Sequence, residues 1–243
     1  MHEDVPLVVA GVNSEAAQHH KGIVANPNCT TMVMMMALAP LHHAAGLERL
    51  VVSTYQAVSG TGNKAIAELE DQSSQVLAGE PIDDPKVYPH RIAFNVIPQV
   101  ETFKDGDDYT TEERKVMAET RKILGFGDEV GISATCARVP VVSGHSESIN
   151  IQTREDLSPD RAREILGQVS GVIVVDDPSN GEYPMAIDGA GRDEVLVGRI
   201  RRDPSHERCL NLWLVGDNLR KGAATNAVQV AEVLIENDWL TQS

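Results

Sequence analysis

Between Ile23 and Ala45 the chain passes from a short apolar strand, through the turn Asn26-Pro27-Asn28, into a helix that reads unbroken from Thr30 to Ala45. This stretch constrains the fold more than any other. The cluster Met32, Met34, Met35 and Met36 reads as packing rather than as a ligand box, because unbranched thioethers fill irregular core gaps. Aromatic residues make up only 4% of the 243, so the core has to be aliphatic. The length suits one large domain or two small ones.

Cys29 stands at the mouth of that helix. Free N–H groups at a helix N-terminus favour negative charge, so a thiol there is expected below its free value of about 8.5. A lone cysteine is more often a packing residue. Its position at a strand-to-helix turn, rather than inside an element, points to a nucleophile. Three cysteines at 29, 136 and 209, with no close pair, give no disulfide framework and fit a reducing cytoplasm.

A net charge of −15 argues against nucleic acid and anionic membranes as partners. No apolar run approaches the roughly 18 residues of a spanning helix, and no secretory leader opens the chain. No metal is called for. No Gly-x-Gly-x-x-Gly opens a helix either, so the dinucleotide fingerprint is missing.

Further strands are expected at Leu7–Ala10, Leu50–Val58, Ile132–Val142, Ser146–Thr153, Val172–Val175, Glu194–Arg201 and Arg208–Val215, with a short extended piece at Ile92–Pro98. The turn Ser143-Gly144-His145 is expected to join two of them. Helices are expected over 63–78, from a Thr110 cap to Leu124, from Ser158 to Val169, and from Asp217 to Asn237. The sum is α+β, a mixed, largely antiparallel sheet with helices on one face.

Four features stand beside Cys29. Gln56, near the end of an apolar strand, suits orienting a carbonyl, though a solvent-facing strand residue is the plainer reading. Arg138 shares strand parity with Ile132, Ala134 and Cys136, which puts a guanidinium on an apolar face in need of an anion. His145 is a turn histidine, ordinarily just solvated, that suits an acid–base partner for a thiol. Glu112 and Lys115 are neighbours on one helix face, ordinarily a solvated ion pair.

Taken together, Asn26-Pro27-Asn28-Cys29-Thr30-Thr31, Ser53-Thr54-Tyr55-Gln56-Ala57-Val58-Ser59-Gly60, Arg138-Val139-Pro140-Val141, Gly144-His145-Ser146-Glu147 and Asp217-Asn218-Leu219-Arg220-Lys221-Gly222 resemble the aspartate-β-semialdehyde dehydrogenase family from about Val5 to Leu240. The resemblance implies Cys29 as nucleophile through a thioester and His145 as acid–base catalyst. It implies Arg138 on the substrate carboxylate, Glu112 on its ammonium group, Gln56 orienting the substrate, Lys115 on phosphate, and Ser59, Gly60 and Asn218 against NADP. It implies NADPH-dependent reduction of β-aspartyl phosphate in lysine, threonine, methionine and diaminopimelate biosynthesis, by a homodimer or homotetramer.

It also implies a sheet domain like the C-terminal domain of glyceraldehyde-phosphate dehydrogenase. On this reading residues 1–28 are a remnant of a nucleotide-binding domain, 29–216 the catalytic and dimerisation domain, and 217–243 a helix that packs on the nucleotide-binding domain. Full-length members carry a glycine-rich NADP loop ahead of such a start, so this chain is expected to fold and dimerise without running turnover unaided. The terminal helix, with Leu219, Ala223, Ala227, Val230 and Leu234 at helical spacing, is expected to be partly exposed. Other readings stay open: N-acyl-glutamyl-phosphate reductase or glyceraldehyde-phosphate dehydrogenase chemistry, a cofactor-independent thiol hydrolase using Cys29 and His145, and a non-catalytic dimerisation module.

Overall fold

A computed structural model describes residues 2 and 4–240; residues 1, 3 and 241–243 of the two expected end segments lie outside the described residues. In chain order the elements are α1 (Cys29–Ala45), β1 (Leu47–Gln56), α2 (Asn63–Ala78), α3 (Thr111–Leu124), β2 (Gly131–Arg138), β3 (His145–Thr153), α4 (Pro159–Leu166), β4 (Val172–Val174), α5 (Ala186–Gly189), β5 (Val195–Arg202), β6 (Cys209–Gly216) and α6 (Thr225–Glu236). One six-stranded sheet runs in the order β2-β1-β3-β6-β5-β4. The β1–β2 and β4–β5 pairs are parallel and the other three antiparallel, the mixed sheet that the pattern predicts.

Helix α1 is the pillar of the core. Every residue from Thr30 to Ala39 is buried, so the helix is apolar all round and enclosed all round. Pro40 lies inside it without ending it. An interior proline normally costs ~3 kcal/mol, which the burial of Met32, Met34, Met35 and Leu38 at 0% exposure outweighs. Asn28 starts the helix by accepting from the backbone N–H groups of Thr30 and Thr31 at 3.0 and 3.3 Å. On the same side, α3 packs on β2 and α4 on β5. Thr110 and Glu113 form the reciprocal cap of α3. Glu113 also accepts from Cys136 N–H at 2.9 Å, which ties that cap to β2. The single turn α5 touches the other face, where Gly189 lies against Val215.

Three expectations need correction. The strands flanking Ser143-Gly144-His145 do not pair with each other: β1 lies between them, parallel to β2 and antiparallel to β3. Gly144 has a φ of +91°, and a Cβ there would stand 2.5 Å from Ala186 O. This turn is therefore shaped by a close approach of a distant segment, not by hairpin geometry. The Ile92–Pro98 segment is bends with one bridge, Ile97 to Arg138, because its polar backbone is held by side chains of α2 instead of a neighbouring strand. Leu7–Ala10 likewise makes a single bridge, Leu7 to Ala25.

The terminal helix opens as a π-helical turn, Arg220–Ala224, before α6. Its inner face takes Val230 and Leu234 from the apolar stripe of the sequence pattern together with the polar Lys221 and Asn226, whereas Ala227 and Leu219, the latter 49% exposed, face outward. Asn226 explains the rotation: it donates to Val8 O and accepts from Ala10 N–H, docking α6 on the N-terminal segment.

Candidate active site

The parallel pairing of β1 and β2 aligns their C-terminal ends, with Gln56 opposite Arg138. Antiparallel β3 returns its first residue, His145, to the same edge, and the first residue of α1, Cys29, meets it there. The Sγ of Cys29 lies 3.4 Å from His145 Nε2. Cys29 borders a cleft of about 450 Å³ whose walls include Asn28, Gln56, Tyr88, Glu101, Glu112 and Arg138.

His145 is fully buried, not a solvated turn residue. The N–H of Ala57 donates to its Nδ1 at 3.0 Å. In the neutral ring Nε2 therefore carries the proton and points it at sulfur. Burial, with the Arg138 guanidinium as the second cause, pushes the imidazole down to about 3, so the ring is neutral at physiological pH.

The thiol departs from the sequence expectation. Burial pushes Cys29 up to about 11 and the Glu112 carboxylate adds to this; Thr30 and Arg138 pull the other way without prevailing. The helix terminus favours thiolate as expected, but desolvation in the cleft and a nearby negative charge win. At rest the pair is thiol beside neutral imidazole.

Glu112 is buried rather than solvated, as one carboxylate at the centre of a network. Its Oε1 accepts from Asn28 Nδ2 at 2.9 Å and Gln56 Nε2 at 3.0 Å; Lys115 Nζ lies 3.1 Å from Oε2. Gln56 also donates to Thr30 Oγ1 at 3.0 Å, so its amide faces the site and not solvent. Arg138 is 5% exposed and on the apolar face, as its parity predicts. Its Nη1 donates to Ala57 O at 2.7 Å, the Tyr88 ring stands 5.8 Å away, and its Nε has no protein partner among the described residues. A buried guanidinium with spare donors beside a cleft is an anion receptor in waiting.

The remaining expected residues lie nearby with different exposure. Gly60 opens into the cleft, and a Cβ there would meet His145 Cε1 at 3.4 Å and Arg138 Nη1 at 3.5 Å. Ser59 and Asn218 are buried beneath it: Asn218 Nδ2 donates to Ser59 Oγ at 2.9 Å, and Gly144 N–H donates to Asn218 Oδ1 at 3.1 Å. Lys115 is held by Glu101 and Glu112 behind the cleft wall.

Sequence reasoning passed over Asn28, Glu119, Tyr88 and Glu101. Asn28 caps α1, donates its N–H to Glu119 at 2.8 Å and its amide to Glu112, and so fixes the turn that carries Cys29 to α3. The Asn26-Pro27-Asn28 turn was its signal. Tyr88 and Glu101 come from an irregular segment and had none.

Comparison with known proteins agrees with this geometry. Residues 38–221 match the model of the semialdehyde dehydrogenase dimerisation domain. Aspartate-semialdehyde dehydrogenase of Aquifex aeolicus is 52% identical over 238 residues, spanning 97% of this chain and 69% of that protein. The enzyme of Legionella pneumophila is 50% identical over 96% of this chain and 67% of its own length. The crystal structure of aspartate semialdehyde dehydrogenase II from Vibrio cholerae superposes with a TM-score of 0.91 at 43% identity, over 96% of this chain and 69% of that one. With half of its residues shared with such relatives across nearly its whole length, the chain belongs to the aspartate-semialdehyde dehydrogenases, oxidoreductases of amino-acid biosynthesis.

Proposed function

We propose that this cleft performs thioester chemistry on an aspartyl substrate, with Cys29 as nucleophile. The observation that carries the reading is the 3.4 Å contact of Cys29 Sγ with His145 Nε2 beside a buried Arg138 whose Nε is unpaired. A neighbouring solved structure, the Vibrio cholerae enzyme, is described as complexed with ASA.

The substrate would be β-aspartyl phosphate. Its α-carboxylate takes the free donors of Arg138, and its ammonium group pairs with Glu112, whose charge is one cause of the raised thiol pKa. Binding therefore eases thiol ionisation at the moment the carbonyl arrives. The sulfur attacks the acyl carbon, the C–O bond to phosphate breaks, and phosphate leaves toward Lys115 while Cys29 holds the thioester. Gln56 fixes the acyl group. His145, in its resting tautomer, gives a hydrogen bond from Nε2 first to sulfur and then to the oxygen of the tetrahedral adduct. To take the thiol proton itself, the ring must pass to the Nδ1–H form and give up the bond from Ala57.

The side-chain-free surface at Gly60, set on the Ser59–Asn218 pair, fits the flat face of a nicotinamide; the reduced cofactor, NADPH, would supply there the hydride that reduces the thioester and would leave as NADP. The products then serve lysine, threonine, methionine and diaminopimelate synthesis in the cytoplasm. We read residues 1–28 and 217–243 as belonging with the cofactor domain, because Val8, Ala10, Ala17 and Val230 form an apolar cluster separate from the main core. Residues 29–216 are the catalytic and dimerisation unit, which pairs with a second copy, as a homodimer or a dimer of dimers.

Mass spectrometry of the purified chain after exposure to β-aspartyl phosphate tests this. An aspartyl adduct on Cys29 and none on Cys136 or Cys209, lost in Cys29→Ser and weakened in Arg138→Leu, is expected. No adduct, or equal labelling of the three cysteines, refutes it; rapid nucleotide-free release of aspartate points to a hydrolase instead.

A further inference from the structure

Glu101 and Glu112 are the two cleft-wall carboxylates that stand against the cation expected to receive phosphate, and Glu101 is the nearer and more exposed of them. Its Oε1 lies 2.6 Å from Lys115 Nζ, and its Oε2 accepts from Thr111 Oγ1 at 2.7 Å. Its backbone is held at φ +62°, a left-handed conformation that a glutamate rarely adopts, with its carbonyl accepting from Gln99 Nε2 at 2.9 Å. Strained backbone of this kind persists where its surroundings impose it, and it concentrates at functional sites. Burial alone would raise the Glu101 carboxyl; the bonds from Lys115 and Thr111 outweigh it, and Arg138 adds its field, so the group stays ionised. Lys115 does not border the cleft, whereas Glu101 does.

We propose that Glu101 is an internal counter-anion for Lys115, which an incoming phosphate group must displace, so that Glu101 sets the affinity and charge selectivity of the oxyanion site. This rests on the reading of Lys115 as the phosphate ligand. A carboxylate anchored by both an amine and a hydroxyl yields to a dianion more readily than to a monoanion. The cleft accordingly prefers phosphate to carboxylates or chloride at this subsite.

Calorimetric titration of the full 243-residue chain with inorganic phosphate, at constant ionic strength set by chloride, tests this. Glu101→Gln should tighten phosphate by about tenfold, the scale of one unit charge removed a few ångström away at a half-exposed site. It should also narrow the preference for phosphate over acetate. Thr111→Val, which frees the carboxylate without removing its charge, should tighten phosphate by a smaller factor. It stands in if the glutamine variant loses its native circular dichroism. Lys115→Met should abolish phosphate binding. Unchanged or weaker binding in Glu101→Gln and Thr111→Val, with Lys115→Met inactive, overturns the counter-anion and leaves Lys115 as the phosphate ligand. Wild-type binding by Lys115→Met, or no binding by any protein, overturns both.

Discussion

Replacing Glu147 by glutamine is expected to stabilise the chain at neutral pH, by an amount that grows as pH rises. Glu147 follows His145 by two residues on the inward face of β3, opposite Thr54 on β1 and Leu214 on β6. It is fully buried, and neither carboxyl oxygen has a hydrogen-bond partner among the described residues. Burial pushes its pKa well above the ordinary 4.5, so the folded chain keeps the proton. The unfolded chain releases it above about pH 4.5, and each further pH unit then favours unfolding by about 1.4 kcal/mol. The folded pKa is raised, so the favourable contribution is complete below the unfolded value and is lost as pH rises toward the folded one. At pH 7 the accumulated cost is at most about 3.4 kcal/mol, the span from the unfolded value. Glutamine has nearly the same shape and does not titrate; the desolvation of its amide adds an offset that does not vary with pH. Urea unfolding of both proteins between pH 4 and 8 isolates the effect, because every other titrating group cancels in the difference. The stability difference should be flat near pH 4 and climb above pH 5 in favour of the variant, by at most about 1.4 kcal/mol per unit. Parallel curves would refute a protonated Glu147 in the fold.

Two further outcomes follow from the nucleophile's surroundings. Gly222 of the π-helical turn packs on Cys29: an added Cβ would stand 3.1 Å from Cys29 Cβ and 3.3 Å from Cys29 O. Gly222→Ala should therefore displace the thiol and slow thioester formation by about tenfold, while the unfolding midpoint moves by about 1 kcal/mol or less; unchanged acylation would show the contact to be slack. Because burial and Glu112 hold the thiol near 11, the iodoacetamide reaction of Cys29 should keep accelerating from pH 7 to pH 10. Glu112→Gln should shift that profile to lower pH. A plateau near neutrality in the unmodified chain would mean that the helix terminus outweighs burial after all.

Features set by a few adjacent residues were legible in the sequence. The turn Asn26-Pro27-Asn28 ahead of α1, the Thr110 cap of α3 and the parity that puts Arg138 on the inner face of β2 all depend on neighbours within one turn or one strand. The strand pairing was not legible. Ser143-Gly144-His145 has hairpin composition, yet its glycine answers to Ala186, some forty residues away, and β1 takes the place beside β3. The burial of His145 and Glu112 escaped for the same reason: a turn histidine and a first-turn glutamate become interior only when separate strands and helices close over them. The state of Cys29 shows two rules in competition. Helix position is local and favours thiolate; desolvation belongs to the assembled cleft and prevails.

The resting site is held closed by those same assembled terms. The thiol is protonated because it is buried beside Glu112, the ring is neutral because it is buried beside Arg138, and Lys115 is occupied by Glu101 and Glu112. On the proposed reading, a ligand with one ammonium group and two anionic groups would reverse the thiol and lysine constraints together: its cation would offset Glu112, and its anions would take Arg138 and Lys115. A ligand lacking the ammonium group leaves the thiol high, and one lacking phosphate leaves Lys115 with Glu101. Discrimination then falls on the ionisation and acylation of Cys29 more than on binding, the pattern expected when binding energy goes into reaching the transition state. Truncated substrates should accordingly lose acylation rate more than they lose affinity.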